Sequence, residues 1–216
     1  KPLRREVTLV LDRSGSMIGD PLAAAKSTAK AFIDNRTFTV GSATSDWIGV
    51  VSYSSASSGH PAATLKQGFT NNPILAKSAI DGLIAGGKTN IMAGVHVAQQ
   101  ELATHGRNDV MDIMIVLSDG VANQWTNFIT GVSTNTNAWP TDHTVSTLKA
   151  IEEATAAKTA GTTVFTIGLN LANLGASEWV ATDTLQKMAT TLDYFFDAAS
   201  PGYLEEIYAM IGAYME

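Results

Sequence analysis

Five apolar runs set the tightest limit on how this chain can fold. Residues 6–11 read EVTLVL, 47–53 WIGVVSY, 111–117 MDIMIVL and 162–169 TTVFTIGL, with a shorter YFFD at 194–197. They are rich in β-branched residues and apolar at successive rather than alternate positions. Unbroken runs of this length suit strands covered on both faces, and such strands belong to parallel sheets flanked by helices. Residues 63–69 (ATLKQGF) alternate more and predict an edge strand.

Helical spacing fills the intervals. Asp20–Pro21 and Asn72–Pro73 each place a capping side chain before a proline at the first helical position. Leu22, Ala25, Ala29, Phe32 and Ile33 then share one face, as do Leu75, Ala79, Ile80 and Leu83. Asn90 is placed to cap a helix running through Leu102, and Val145, Leu148 and Ile151 form a further stripe. A short helix is predicted over 182–190, and a last one through Leu204, Ile207, Tyr208 and Ile211 starts from Ser200–Pro201. Strands alternating with helices predict an α/β, Rossmann-like doubly wound fold. Its central sheet should be mostly parallel with one antiparallel edge strand and helices on both faces. Ligands of such folds bind beyond the carboxyl ends of the strands.

One stretch fits no element. Residues 120–143 read GVANQWTNFITGVSTNTNAWPTDH, a polar insertion carrying Trp125, Phe128 and Trp139. Loops this long in compact domains are uncommon and often functional. These aromatics are the sequence's candidates for partner contact.

Composition removes several chemistries. The chain has no cysteine, which excludes disulfides, thiolate catalysis and cysteine-ligated zinc. Its 216 residues suit a single domain spanning 1–216, and the absence of an initial Met suggests a piece of a longer protein. A net charge of −6 with no basic run argues against nucleic acid as a partner. No apolar stretch reaches the roughly 18 residues of a membrane span. Residues 1–5 (KPLRR) enter the first strand without the apolar core of a signal peptide. His60, His96, His105 and His143 are scattered without metal-ligand spacing, Glu152–Glu153 and Glu205–Glu206 read as solvated helix faces, and the seven methionines read as core filler.

The residues that carry chemistry follow the strands. The first run ends in Asp12-Arg13-Ser14-Gly15-Ser16-Met17, which puts a carboxylate and two hydroxyls at i, i+2 and i+4 beyond a buried strand. The run at 111–117 ends in Ser118-Asp119-Gly120, and Lys88-Thr89-Asn90 offers a third hydroxyl just before a helix. Carboxylate and hydroxyl oxygens suit a hard cation. This order of residues resembles the von Willebrand factor A domain family, in the bacterial form of its metal-ion-dependent adhesion site. The family's pattern is D-x-S-x-S on the first loop, Thr on the second and Asp on the third. It is matched here by Asp12, Ser14 and Ser16, then Thr89, then Asp119, and the resemblance runs from the first strand to the final helix.

The resemblance implies that Ser14, Ser16 and Thr89 ligate a divalent ion directly, while Asp12 and Asp119 ligate it directly or through water. The ion would be Mg²⁺, with Mn²⁺ or Ca²⁺ as alternatives. It implies an open coordination position filled by an Asp or Glu carboxylate of a protein partner, hence an adhesion module and not an enzyme. The Arg4-Arg5-Glu6 entry and the DRSGSM loop are similar to those of tight-adherence pilus components. With many Thr, Ser, Asn and Gly and few lysines, this favours an extracytoplasmic or cell-surface setting, the cytoplasm being the alternative.

A rival motif overlaps the second loop. Gly82-Leu83-Ile84-Ala85-Gly86-Gly87-Lys88-Thr89 matches the phosphate-binding string G-x-x-x-x-G-K-T, with Asp119 as the magnesium carboxylate of a nucleotide hydrolase. Such a loop must follow a strand, whereas helical spacing precedes Gly82. The state of Gly82 therefore separates the two readings.

Overall fold

The structure, a computed structural model, describes residues 4–36, 38–56, 61–137 and 139–215. The apolar runs become β1 (Arg5–Asp12), β2 (Trp47–Tyr53), β4 (Met111–Ser118), β7 (Thr163–Leu169) and β8 (Phe195–Ala198), with β3 (Ala63–Thr70) at the edge. These six form one sheet in the order β3-β2-β1-β4-β7-β8. Every neighbouring pair is parallel except β2–β3, which is antiparallel. The expected doubly wound architecture is therefore the observed one. His60 lies outside the described residues.

Helices cover both faces. α1 (Asp20–Asp34), α2 (Pro73–Asp81) and α6 (Leu204–Tyr214) pack over Val7, Leu9 and Leu11 of β1. α3 (Ile91–His105), α4 (Val145–Thr159) and α5 (Glu178–Met188) pack over Val10, Met114, Val116 and Val164. Successive strand residues thus feed opposite cores, which is why the strand runs are apolar at every position.

The start signals are realised with small shifts. Asn72 caps α2 by accepting from the Ile74 amide, and Asn90 caps α3 by accepting from Ala93. Asp20 is the first residue of α1 rather than its cap. That place belongs to Gly19, whose φ of 86° lets the chain turn into the helix. α5 begins before residue 182 because a 3-10 turn over Leu171–Ser177 feeds into it. The Val145–Leu148–Ile151 stripe is not the packing face of α4. Val145 and Leu148 are exposed, and Ala150, Ala154 and Ala157 are buried instead. Small side chains let α4 approach its neighbours closely, so the residues on its packed face are alanines.

The insertion is not a bare loop. It forms a hairpin of β5 (Gln124–Asn127) and β6 (Val132–Asn135), turning through Gly131 at φ 71°. The Asn127 side chain accepts from the amides of Ile129 and Thr130, and the Gly131 amide donates to the Asn127 carbonyl. The imidazole of His96 on α3 lies flat against Phe128 at 3.7 Å between centroids. His96 Nδ1 is 2.6 Å from Glu153 Oε1 on α4, so Glu153 is tied down rather than solvated, while Glu152 pairs with Lys149 at the surface. Beyond the hairpin, His143 Nε2 is 2.6 Å from Asp183 Oδ2 of α5. The insertion is thus held to the body at its tip and at its exit. Most methionines do fill the core, but Met210 is exposed.

Candidate metal centre

Three loops meet beyond the carboxyl ends of β1 and β4. The first leaves β1 at Asp12, the second joins α2 to α3, and the third leaves β4 at Ser118. Backbone bonds stitch the first two together: Gly86 N donates to Arg13 O (2.7 Å) and Gly15 N to Gly87 O (2.9 Å). A side chain at Gly87 would have its Cβ 2.3 Å from Ser55 Oγ, and φ there is 87°, so only glycine permits this approach. The second and third loops are joined through Asn123. Its side chain accepts from the Thr89 amide (2.8 Å), and its own amide donates to the Thr89 carbonyl (2.9 Å).

The five oxygen-bearing residues converge as their order in the chain suggests. Asp12 is fully buried, with Oδ1 accepting from the Ser14 amide (2.7 Å) and Oδ2 from Ser118 Oγ (2.9 Å). Ser14 Oγ and Ser16 Oγ are 3.1 Å apart, and Ser16 Oγ donates to Asp119 Oδ1 at 2.8 Å. Thr89 is buried behind them, its Oγ1 beside Gly120. Ser16, Thr89 and Asp119 line one cavity of about 230 Å³ with Lys88, Val121, Asn123, Trp139 and Leu174.

Two buried carboxylates dominate the electrostatics of the centre. Burial pushes the Asp12 carboxyl up despite its hydrogen bonds from Ser14 and Ser118. Burial, and then the charge of Asp12, push Asp119 up to about 7. Both shifts express the cost of holding a carboxylate out of water, to which Asp119 adds the repulsion of Asp12. Among the described residues no three His, Asp or Glu side chains cluster as a metal group. A cation here must rely on hydroxyls to complete its shell. The donor set fits one: two carboxylates and three hydroxyls, all hard oxygens.

The aromatic residues of the insertion separate. Trp139 lines the cavity and is 62% exposed. Phe128 is committed to His96 and lines a different groove against α3. Trp125, half-buried, sits opposite Thr134 in the hairpin and does not line the cavity. Asn123, Ser118 and Lys88 belong to the site without having been singled out for it. Ser118 could have been found from its place beside Asp119, but nothing in the sequence marks Asn123.

The phosphate-loop reading fails on its own criterion. Gly82 caps the carboxyl end of α2 in a right-handed helical conformation, and no strand precedes it. A row of Thr147, His143 and Asp183 has the order of a nucleophile, base and acid, but it is closed. Thr147 is buried and its hydroxyl donates to the Thr144 carbonyl (2.9 Å) as part of the α4 cap.

Known proteins agree with this architecture. The von Willebrand factor type A domain pattern matches residues 6–209. Horse calcium-activated chloride channel regulator 1 is 35% identical over 121 residues, covering 56% of this chain and 12% of that protein. The chain thus spans about one eighth of the length of that relative. The vWF domain of the type V pili tip protein Mfa5 from Porphyromonas gingivalis superposes with a TM-score of 0.76 at 20% identity, covering 100% of this chain and 96% of that one. Proximal thread matrix protein 1 from the mussel byssus, solved with a zinc-occupied MIDAS motif, superposes with a TM-score of 0.67 at 18% identity, covering 97% of this chain and 46% of that one. With the sheet order, the three converging loops and a match over nearly the whole chain, this protein belongs to the von Willebrand factor type A domain family.

Proposed function

We propose that the chain is a binding module that holds a divalent cation through Asp12, Ser14, Ser16, Thr89 and Asp119 and uses it to capture a carboxylate of a partner protein. The observation that carries this reading is the spacing of its oxygens. Ser14 Oγ, Ser16 Oγ and Asp119 Oδ1 follow one another at 3.1 and 2.8 Å. Oxygens this close can share one hard cation, since octahedral Mg²⁺ with ligands at about 2.0–2.1 Å has neighbouring oxygens about 2.9 Å apart. Mg²⁺ is the ion proposed, with Mn²⁺ or Ca²⁺ as alternatives. When bound, the ion supplies a Lewis-acidic contact for an incoming anion. The residues of this chain set its charge, since Asp12 and Asp119 leave it balanced rather than over-neutralised.

Trp139 is the aromatic placed to touch whatever enters the cavity, and large aromatics beside a buried polar contact are typical interface anchors. The pilus tip domain among the structural neighbours supports a surface or extracytoplasmic setting, with adhesion as the task. No helix among the described residues is long and apolar enough to cross a membrane. The closed Thr147–His143–Asp183 row and the helix before Gly82 support binding over catalysis.

Calorimetric titration of chelator-stripped protein with MgCl₂ should show a single site. At a free concentration about 100 times the dissociation constant, the ion should add about 2.7 kcal/mol of stability. The reading is wrong if Asp12→Ala and Thr89→Ala proteins, still folded, take up Mg²⁺ as the parent does.

A further inference from the structure

Among the described lysines, Lys66 on the edge strand β3 and Lys88 make no ion pair or hydrogen bond, and of these two Lys88 alone lines the candidate centre. Lys26, Lys30, Lys77, Lys149, Lys158 and Lys187 each donate to a carboxylate or a carbonyl. Lys88 is exposed, lines the cavity above Thr89 and Asp119, and makes no ion pair or hydrogen bond among the described residues. Its backbone is not free. Gly87 before it is pinned to Gly15, and Thr89 after it is pinned to Asn123. The backbone therefore holds Lys88 beside the cavity from a fixed base, with no partner for its charge among the described residues.

The charges around the cavity define what that side chain can meet. Asp12 and Asp119 together balance a divalent ion. With the ion in place, Lys88 leaves the cavity with one positive charge, which one carboxylate neutralises. A phosphomonoester, carrying about −1.5 to −2, would overshoot. The remaining walls, Val121, Trp139 and Leu174, offer no further cation. We propose that Lys88 is the second point of attachment for the partner, pairing with the same singly charged carboxylate that the ion takes, and that it makes the site prefer an acidic residue over a phosphorylated one. This rests on the metal–carboxylate reading above and adds a specificity residue to it.

The test uses the Mg²⁺-loaded protein and three short peptides followed by amide NMR shifts: acetyl-Gly-Asp-Leu-Gly-amide, its Asn counterpart and its phosphoserine counterpart. The parent should bind the Asp peptide best, with shifts at residues 86–89 and 119–123. Lys88→Met keeps the aliphatic stem and removes the charge. It should bind Mg²⁺ at least as tightly as the parent by calorimetry, because a neighbouring positive charge is gone, yet weaken the Asp peptide about tenfold and flatten its salt dependence. Equal affinity of Lys88→Met and parent for the Asp peptide overturns the role of Lys88 and leaves the ion-centred reading standing. So does a parent preference for the phosphoserine peptide. If the parent binds none of the peptides with Mg²⁺ present, the carboxylate-capture reading itself falls, and the proposal with it.

Discussion

Replacing Asp119 by Asn should stabilise the metal-free protein at neutral pH and abolish its response to Mg²⁺. The two effects have one cause. Asp119 is buried near a second buried carboxylate, and its titration is pushed up to about 7. A carboxyl whose folded-state value exceeds its unfolded one favours folding in its protonated form. The metal-free parent should therefore lose stability as pH rises from about 4, the unfolded value, to about 7, and then level off. Asparagine keeps an acceptor for the Ser16 hydroxyl, which now reaches Asp119 Oδ1 at 2.8 Å, and cannot ionise. The substitution should remove that slope and add about 1 to 2 kcal/mol at pH 8. This lies well below a full conversion at about 1.4 kcal/mol per pKa unit, because the shift is shared with the neighbouring Asp12 carboxyl.

Mg²⁺ reverses the order. For the parent, ion affinity should rise with pH through about 7, since binding below that value must expel a proton. For Asp119→Asn it should fall by 100-fold or more and lose that pH dependence. Thermal unfolding with and without Mg²⁺ at pH 5, 6, 7 and 8 measures both. An Asn variant less stable than the metal-free parent at pH 8 would show that Asp119 is held by stabilising contacts and not strained by missing charge.

Gly94→Ala should be among the most damaging single-methyl additions to the molecule. A Cβ at residue 94 would lie 2.6 Å from Tyr53 Cδ1 and 2.9 Å from Val10 Cγ1. Neither neighbour can yield. Val10 is fully buried in the central strand, and Tyr53 is buried with its hydroxyl donating to the Leu117 carbonyl at 2.8 Å. The helix must lift instead, at or above the roughly 3 kcal/mol upper end of ordinary overpacking. Lifting α3 also moves Asn90, which bonds Thr126 of the hairpin, and with it Thr89. Urea unfolding should show the loss of stability, and Mg²⁺ titration of the surviving folded fraction should show weakened binding. Gly202→Ala is the control: its nearest atom would be Ser200 Oγ at 3.7 Å, and its cost should be small. A loss below about 1 kcal/mol at Gly94 would mean that α3 rides more loosely on the sheet than this contact implies.

How much of this could be read from the chain depended on whether the deciding contacts were local. β1, β2, β4 and β7 were legible because burial on both faces writes itself into consecutive residues, and α2 and α3 because Asn72 and Asn90 cap their own helices. The hairpin was not legible. β5 and β6 are QWTN and VSTN, too short and too polar to carry a strand signal, and they persist because Phe128 lies on His96 and Asn90 bonds Thr126. The face of α4 was misassigned because apolar periodicity identifies the largest side chains, whereas close helix packing selected Ala150, Ala154 and Ala157. At the candidate centre the five oxygen-bearing residues stood out as a spaced pattern. Asn123 and Lys88 did not, because what each contributes is defined only when separate loops meet.

The convergence of those loops has a kinetic side. Asp12 and Asp119 come together only after β1 has paired with β4 across more than 100 intervening residues, in register from Arg5–Met111 to Leu11–Leu117. Parallel pairings of such separation are slow to nucleate, and the loops beyond the strand ends can settle only once the strands are in place. The five residues proposed to hold a cation should therefore come together late in folding. An ion bound by them should then lengthen the lifetime of the folded chain rather than hasten its formation, as unfolding and refolding rates with and without Mg²⁺ would measure. Its benefit would appear as slower unfolding, the rate that sets lifetime under heat or pulling.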